Sequence, residues 1–203
     1  MNKKVNIAID AMGGENSPKK IIKGIDISLH TNKNNFFFLY GKKKLLEKEL
    51  NQYKLVKSFS KIIPAEDEIF DDESPLAAAK KSKESSMWKA IESQKKGETD
   101  ISLSAGNTGA LLIISRLILN TIEGIDRPAL GALWPNDKNM SVVLDLGANI
   151  ECNEKNLSDF ASMGSALFKS LYASKPKIAL LNVGLEEHKG NEILKKTSNI
   201  LKN

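Results

Sequence analysis

Four short segments combine glycine with small polar or charged residues, the composition of ligand-binding loops. They are Asp10-Ala-Met-Gly-Gly, Ser104-Ala-Gly-Asn-Thr-Gly-Ala, Asp145-Leu-Gly-Ala-Asn, and the stretch from Gly184 to Glu192. In the second, Gly106 and Gly109 let the backbone approach a ligand closely. The N–H groups of a first helical turn lack intrahelical acceptors and lie at the positive end of the helix dipole, so they suit an anion such as phosphate. Asn107 and Thr108 add side-chain donors; they suit a plain helix cap equally well. In the fourth segment Glu186, Glu187, His188, Lys189 and Asn191 crowd together before a helix pattern. Lys189 suits neutralisation of charge developing on a phosphate or carbonyl oxygen. Glu186 or His188 suits proton transfer. An exposed polar loop that caps the next helix is the plainer alternative. Asp145 and Asn149 flank Gly147 and suit either substrate orientation or the shaping of a turn. Asp10 either meets a ligand or organises Gly13 and Gly14 through backbone hydrogen bonds.

The elements that must position these loops follow from hydrophobic patterning. Val5–Ile9 and Phe36–Tyr40 are short apolar runs of strand type, with weaker strands at Ser58–Ile63 and Asp100–Ser104. Pro18 opens a helical pattern through Ile21, Ile22, Ile25 and Leu29. Further helices are expected at 42–50, 84–96, 107–120, 156–171 and 191–201, and the acidic stretch 65–75 is expected as a loop. Ala129–Trp134 and Ser141–Leu146 read as strands joined by a turn at 135–138, hence a hairpin. Lys177–Val183 reads as a last strand. Alternating strands and helices, with continuous apolar strands, define an α/β chain with a mainly parallel sheet covered on both faces. In such sheets ligands bind beyond the carboxyl ends of the strands, where all four loops are expected to converge.

A chain of 203 residues with 41% hydrophobic composition suffices for one sizeable core and excludes wholesale disorder. The lone Cys152 excludes an internal disulfide and a multi-cysteine metal site; no base neighbours it in sequence to make it a nucleophile. Of the 30 basic residues 28 are Lys, only Arg116 and Arg127 being arginine. Arginine is the preferred fork for bases, so the +5 net charge argues for a solvated surface over nucleic-acid reading. Seven Lys in residues 42–61 read first as surface, and second as a basic patch for an acidic partner or an anionic membrane. The most apolar run, Leu111–Leu119, is too short to span a bilayer and holds Arg116. Trp88, Trp134 and Phe36–Phe38 are expected in the core; His30 is expected to be structural or solvated. The phosphate-binding Walker pattern, the dinucleotide G-x-G-x-x-G and the G-x-S-x-G elbow are absent.

The motifs Ile7-Ala-Ile-Asp-Ala-Met-Gly-Gly, Ser85-Ser86, Ser104-Ala-Gly-Asn-Thr-Gly-Ala, Arg127-Pro-Ala, Asp145-Leu-Gly-Ala-Asn, Phe160-Ala-Ser-Met-Gly-Ser and Glu186-Glu-His-Lys-Gly-Asn-Glu occur in that order. Each is weak alone, but as an ordered set running over the whole chain they closely resemble the bacterial acyl-acyl carrier protein:phosphate acyltransferases, the PlsX family. The resemblance implies a three-layer α/β/α fold like that of isopropylmalate dehydrogenase and phosphotransacetylase. It implies that inorganic phosphate attacks a fatty acyl thioester on acyl carrier protein, giving acyl phosphate for phospholipid synthesis. It implies a cytoplasmic homodimer with peripheral membrane contact, no organic cofactor, and a glycerol-3-phosphate acyltransferase as downstream partner. No metal site is assigned. With that chemistry, Lys189 and Glu186 are the candidate catalytic residues. Asp10, Gly13, Gly14, Gly106, Asn107, Thr108, Gly109, Asp145, Asn149 and Asn191 are the candidate phosphate and substrate contacts.

The chain departs from the family pattern in places. Glu15-Asn16-Ser17-Pro18 stands where Asp-His-Ala-Pro is usual. Lys80 replaces a usual Arg, and Leu185 a common acid. The pattern expects residues 1–203 to form a single α/β domain, the N-terminal part of a longer architecture. The alternatives are a short-chain phosphotransacylase, separable by its acyl donor, and an inactive fragment that binds acyl carrier protein. A nucleotide-binding protein is a more distant option.

Overall fold

The computed structural model describes residues 4–81, 83–137, 139–184 and 189–202. The chain divides into two compact units, Met1–Asn120 and Thr121–Asn203.

In the first unit Val5–Asp10 forms β1, Asn35–Gly41 β2, Ser60–Pro64 β3 and Ile101–Leu103 β4. All pair in parallel, in the order β3-β2-β1-β4. Register places Ile7 between Phe37 and Ile101, and Ile9 between Leu39 and Leu103. Because side chains alternate along a strand, Ile7 and Ile9 share one face while Ala8 and Asp10 share the other. The Ile7 face is covered by three helices: α1 (Lys19–Thr31), α2 (Lys43–Leu50) and α3 (Lys54–Ser58). Ile22, Ile25 and Leu29 of α1, at the spacing of one helix face, join Leu46, Leu50 and Val56 against it.

On the opposite face, α4 spans Pro75–Lys81, α5 Ser86–Lys95 and α6 Thr108–Leu119. Ala90 of α5 packs with Ala8 and Tyr40. Ile69, Met87, Ile91, Ala110 and Ile114 then form a second apolar cluster between these helices. Helices on both faces make the three-layer α/β/α arrangement that the resemblance implies. Neither α3 nor α4 is expected from the apolar pattern. In α4, Pro75 sits in the first turn, where its missing N–H costs nothing, and three alanines follow.

The chain order creates a switch point. It leaves β1 toward β2 and β3 on one side, then returns to β4 on the other side of β1. The connections after β1 and β4 therefore diverge at their carboxyl ends, which opens a crevice there.

In the second unit β5 (Ala132–Pro135) and β6 (Met140–Val143) form the expected antiparallel hairpin. α7 (Glu154–Tyr172) begins in a reciprocal cap between Asn153 and Asn156, and α8 (Glu192–Lys202) ends the described chain. Two expectations fail here. Lys177–Val183 forms no strand among the described residues: a strand needs a neighbour to take its N–H and C=O groups, and none pairs with it. Leu181 is accordingly 95% exposed. Trp134, expected in the core, is 57% exposed because β5 lies open along its length. Among the described residues no helix is long and apolar enough to cross a membrane.

Candidate functional site

The switch point holds two of the four predicted loops. β1 ends at Asp10, whose parity turns it toward α5; its residue is only 2% exposed. The Ser86 hydroxyl, at the start of α5, donates to Asp10 Oδ1 at 2.5 Å, and Ser104 Oγ donates to Oδ2 at 2.7 Å. The Met12 N–H adds a longer bond of 3.3 Å to Oδ1. Burial pushes the Asp10 carboxyl above the usual aspartate range; the bonds from Ser86, Ser104 and the Met12 and Gly13 backbone oppose that rise. No cation is among these partners. Hydroxyls and backbone dipoles hold the carboxylate.

The two loops then touch. A Cβ on Gly13 would lie 2.4 Å from Asp10 Oδ2 and 3.0 Å from the Gly106 nitrogen. A Cβ on Gly106 would lie 3.0 Å from Gly13 Cα. Gly14 has φ +83° and faces the Ala105 carbonyl. Glycine at these positions serves contact between two backbone turns. Ser17 Oγ donates to the Gly13 carbonyl at 2.6 Å, which closes the first turn. Asn16 adopts φ +60°, a conformation asparagine tolerates well.

At the start of α6 the side chain of Asn107 is fully engaged. Its Oδ1 accepts from the Ala110 N–H at 3.0 Å, and its Nδ2 donates to the Glu73 carbonyl at 2.9 Å, with longer bonds to Phe70 and Asp71. Asn107 thus caps the helix and clamps the acidic loop. The space beside Gly109 is taken by Pro75, whose Cγ would lie 2.6 Å from an added Cβ. Thr108 has an exposed side chain. The N–H groups of Thr108 and Gly109 have no acceptor within α6 by helix geometry. Such N–H groups suit an anion. Asn107→Ala is expected to lower unfolding free energy by about 1–2 kcal/mol, a typical loss for a helix cap, and to speed amide exchange in residues 70–73. Chemical denaturation and exchange mass spectrometry read the two effects.

Two other predicted loops lie in the second unit. Asp145 accepts from the Leu130 N–H and the Asn149 N–H, both at 2.7 Å. Asn149 Nδ2 donates to the Pro128 carbonyl at 2.9 Å and to Asp145 at 3.2 Å. Oδ2 of Asp145 therefore shapes the turn through Gly147, which has φ +86°, while Oδ1 ties that turn to Leu130. Asn182 Nδ2 donates to the Lys189 carbonyl at 3.1 Å, and Gly190, at φ +94°, lies against the Asn182 side chain. Asn191 Oδ1 accepts from the Leu194 N–H and caps α8. Lys189 lines a groove of about 830 Å³ along α8, with Ile178, Leu180, Leu194 and Lys195. Glu186, Glu187 and His188 lie outside the described residues. Burial and the Asp145 carboxylate push the Cys152 thiol up, against the pull of Arg127, which keeps it protonated and a poor nucleophile. His30 is exposed on α1, with Nδ1 2.7 Å from the Asp26 carbonyl.

Ser86 and Ser104 are not among the predicted site residues. Ser86 lies 76 residues from Asp10 in sequence, so only the β1–α5 packing reveals the pair. The Asp10 titration has a defined sign. A raised native pKa means the folded chain holds the proton more tightly than the unfolded one. Its contribution to stability therefore falls as pH rises from the ordinary aspartate value through the native one. Asp10→Asn removes that titration. Its stability deficit relative to the parent is expected to shrink across that window as pH rises, as measured by urea unfolding in a pH series.

The arrangement defines a class first: an α/β fold with a parallel-sheet switch point, a fold shared with two solved phosphotransacetylases. The solved EutD phosphotransacetylase from Staphylococcus aureus matches 98% of this chain and 64% of its own, with a TM-score of 0.67 at 15% identity. A phosphotransacetylase from Streptococcus pyogenes matches 95% and 61%, with a TM-score of 0.68 at 16% identity. At such identity the likeness is one of fold. The chain belongs to the family described as fatty acid synthesis protein, whose model matches residues 5–203. A phosphate acyltransferase of Pelagibacter ubique (strain HTCC1062) is 57% identical over 97% of this chain and 59% of its own length. One of Rhodopseudomonas palustris (strain TIE-1) is 42% identical over 100% and 58%. The chain thus spans under two thirds of the length of these relatives.

Proposed function

We propose that the chain is a phosphate acyltransferase that converts fatty acyl-acyl carrier protein and inorganic phosphate to acyl phosphate and free carrier protein. One observation carries the site assignment. The β1 and β4 loops meet backbone to backbone at the switch point, beside the start of α6, in a chain similar to phosphate acyltransferases. A phosphate oxygen attacks the thioester carbonyl carbon, the C–S bond breaks, and the carrier sulfur leaves and takes up a proton. Phosphate is itself the nucleophile, so no side chain needs to be acylated. The α6 N–H groups orient and partly neutralise it, which favours attack by positioning. Lys189 is assigned the charge developing on the carbonyl oxygen and Glu186 the proton transfer. Acyl carrier protein and phosphate are the substrates. The product feeds a glycerol-3-phosphate acyltransferase, and the enzyme works as a cytoplasmic homodimer with peripheral membrane contact.

A second reading, a short-chain phosphotransacylase, is favoured by the fold likeness to phosphotransacetylases. Acyl donor choice decides between them. Phosphate-dependent thiol release from long-chain acyl-acyl carrier protein, and little from acetyl-coenzyme A, is the expected result. The reverse preference would establish the second reading.

A further inference from the structure

We propose that Ser86 is a positioning residue for the phosphate site: its hydroxyl fixes the Asp10 carboxylate, which orients the Ser104 hydroxyl, which in turn holds the Gly106 turn. The inference rests on the proposed phosphate-binding role of that turn and deepens it.

The chain of bonds is directional. Ser104 has one hydroxyl hydrogen, and it points at Asp10 Oδ2 at 2.7 Å. The oxygen lone pairs are then left to accept the Gly106 N–H, at 3.1 Å. Were Oδ2 turned away, the Ser104 hydrogen would be released to other acceptors and the Gly106 turn would lose its anchor. What stops that rotation is the other oxygen. Oδ1 receives Ser86 Oγ at 2.5 Å, with the longer Met12 N–H beside it. Ser86 is 1% exposed, so water does not readily replace it. Its own N–H donates to the Asp67 carbonyl at 3.0 Å, so the hydroxyl stands on a fixed stem. Ser86 reaches the turn only through Asp10 and Ser104, which makes it a positioning residue.

Ser85 supplies the comparison. It is equally buried and adjacent, and its Oγ accepts from the Trp88 N–H at 3.2 Å, capping the same helix. Ser85→Ala weakens α5 without touching Asp10. Ser86→Ala removes the tie to Asp10 without removing the cap.

The test uses the whole chain and two readouts. Amide exchange at Gly106 is followed without phosphate, and inorganic phosphate is titrated while the Thr108 and Gly109 amide resonances are followed. Ser86→Ala is expected to speed Gly106 exchange and to weaken phosphate binding, each by about tenfold, the scale of one lost hydrogen bond to a charged group. Ser85→Ala is expected to lower thermal stability while leaving both readouts near the parent's. Unchanged Gly106 exchange in Ser86→Ala, or an equal change in Ser85→Ala, would overturn the role of Ser86 and leave the phosphate reading standing. A parent chain whose Thr108 and Gly109 resonances ignore phosphate would overturn the phosphate reading and this proposal together, whatever Gly106 exchange showed.

Discussion

Replacing Gly14 by alanine is expected to destabilise the chain by about 2–5 kcal/mol and to abolish saturable phosphate binding. The estimate joins about 1–2 kcal/mol for a non-glycine residue in the left-handed region to about 1–3 kcal/mol for overpacking. Gly14 has φ +83°, and its added Cβ would lie 2.4 Å from the Ala105 carbonyl oxygen. That oxygen belongs to the backbone of the loop after β4, so it cannot swing aside like a flexible side chain. Relief requires the β1 and β4 loops to part, which separates Gly13 from Gly106 and moves the turn before α6. Gly97 is the control. It has φ +72° but nothing within 4 Å of an added Cβ. Gly97→Ala is expected to cost only the conformational part, about 1–2 kcal/mol, and to leave phosphate binding intact. Urea unfolding of the two variants measures the difference. Equal losses would mean that the contact between the loops is unimportant.

The second large effect is on rate. Lys189→Ala is expected to lower kcat about 10²–10³-fold, the loss typical of removing one stabiliser of a developing oxyanion. The KM for phosphate should move little, since the α6 N–H groups are assigned its binding. Asn182 Nδ2 bonds the Lys189 carbonyl and Gly190 lies against the Asn182 side chain, two contacts that do not use the Lys189 side chain. Lys189→Arg keeps the charge on a different shape and is expected to recover part of the rate. An unchanged kcat in Lys189→Ala would remove Lys189 from the chemistry.

Much of the first unit is legible in the residues themselves. Ile7 and Ile9 alternate as strand residues do, Ile22, Ile25 and Leu29 recur at helical spacing, and Pro18 marks the start of α1. These local patterns coincide with the tertiary packing, so the parallel α/β architecture follows from them. The short helix α4 is less visible because Pro75-Leu-Ala-Ala-Ala is helical by propensity and carries no apolar period. Lys177–Val183 misleads for the opposite reason: its apolar run has strand composition, but a strand exists only with a partner. At the switch point, the glycines mark loops that meet each other, a contact the local sequence does not show. Gly13 and Gly106 approach each other, and Gly109 approaches Pro75. Asn107 reads equally as a donor to a ligand and as a helix cap, and its side chain caps α6 and holds the acidic loop. Both possibilities produce the same local sequence, and only the fold of residues 70–73 against α6 separates them. Ser86 stands in one of the motifs, but its tie to Asp10 leaves no local signal, because the two meet through a sheet face and a helix start far apart in the chain.

Phosphorus NMR of the chain with long-chain acyl-acyl carrier protein and inorganic phosphate tests the central claim most directly. The account predicts an acyl phosphate resonance that grows in step with free carrier thiol, and no thiol release when phosphate is omitted. Thiol release without phosphate, yielding fatty acid alone, would show a hydrolase. A folded chain that releases no thiol at all would equally contradict the claim that this polypeptide transfers acyl groups to phosphate.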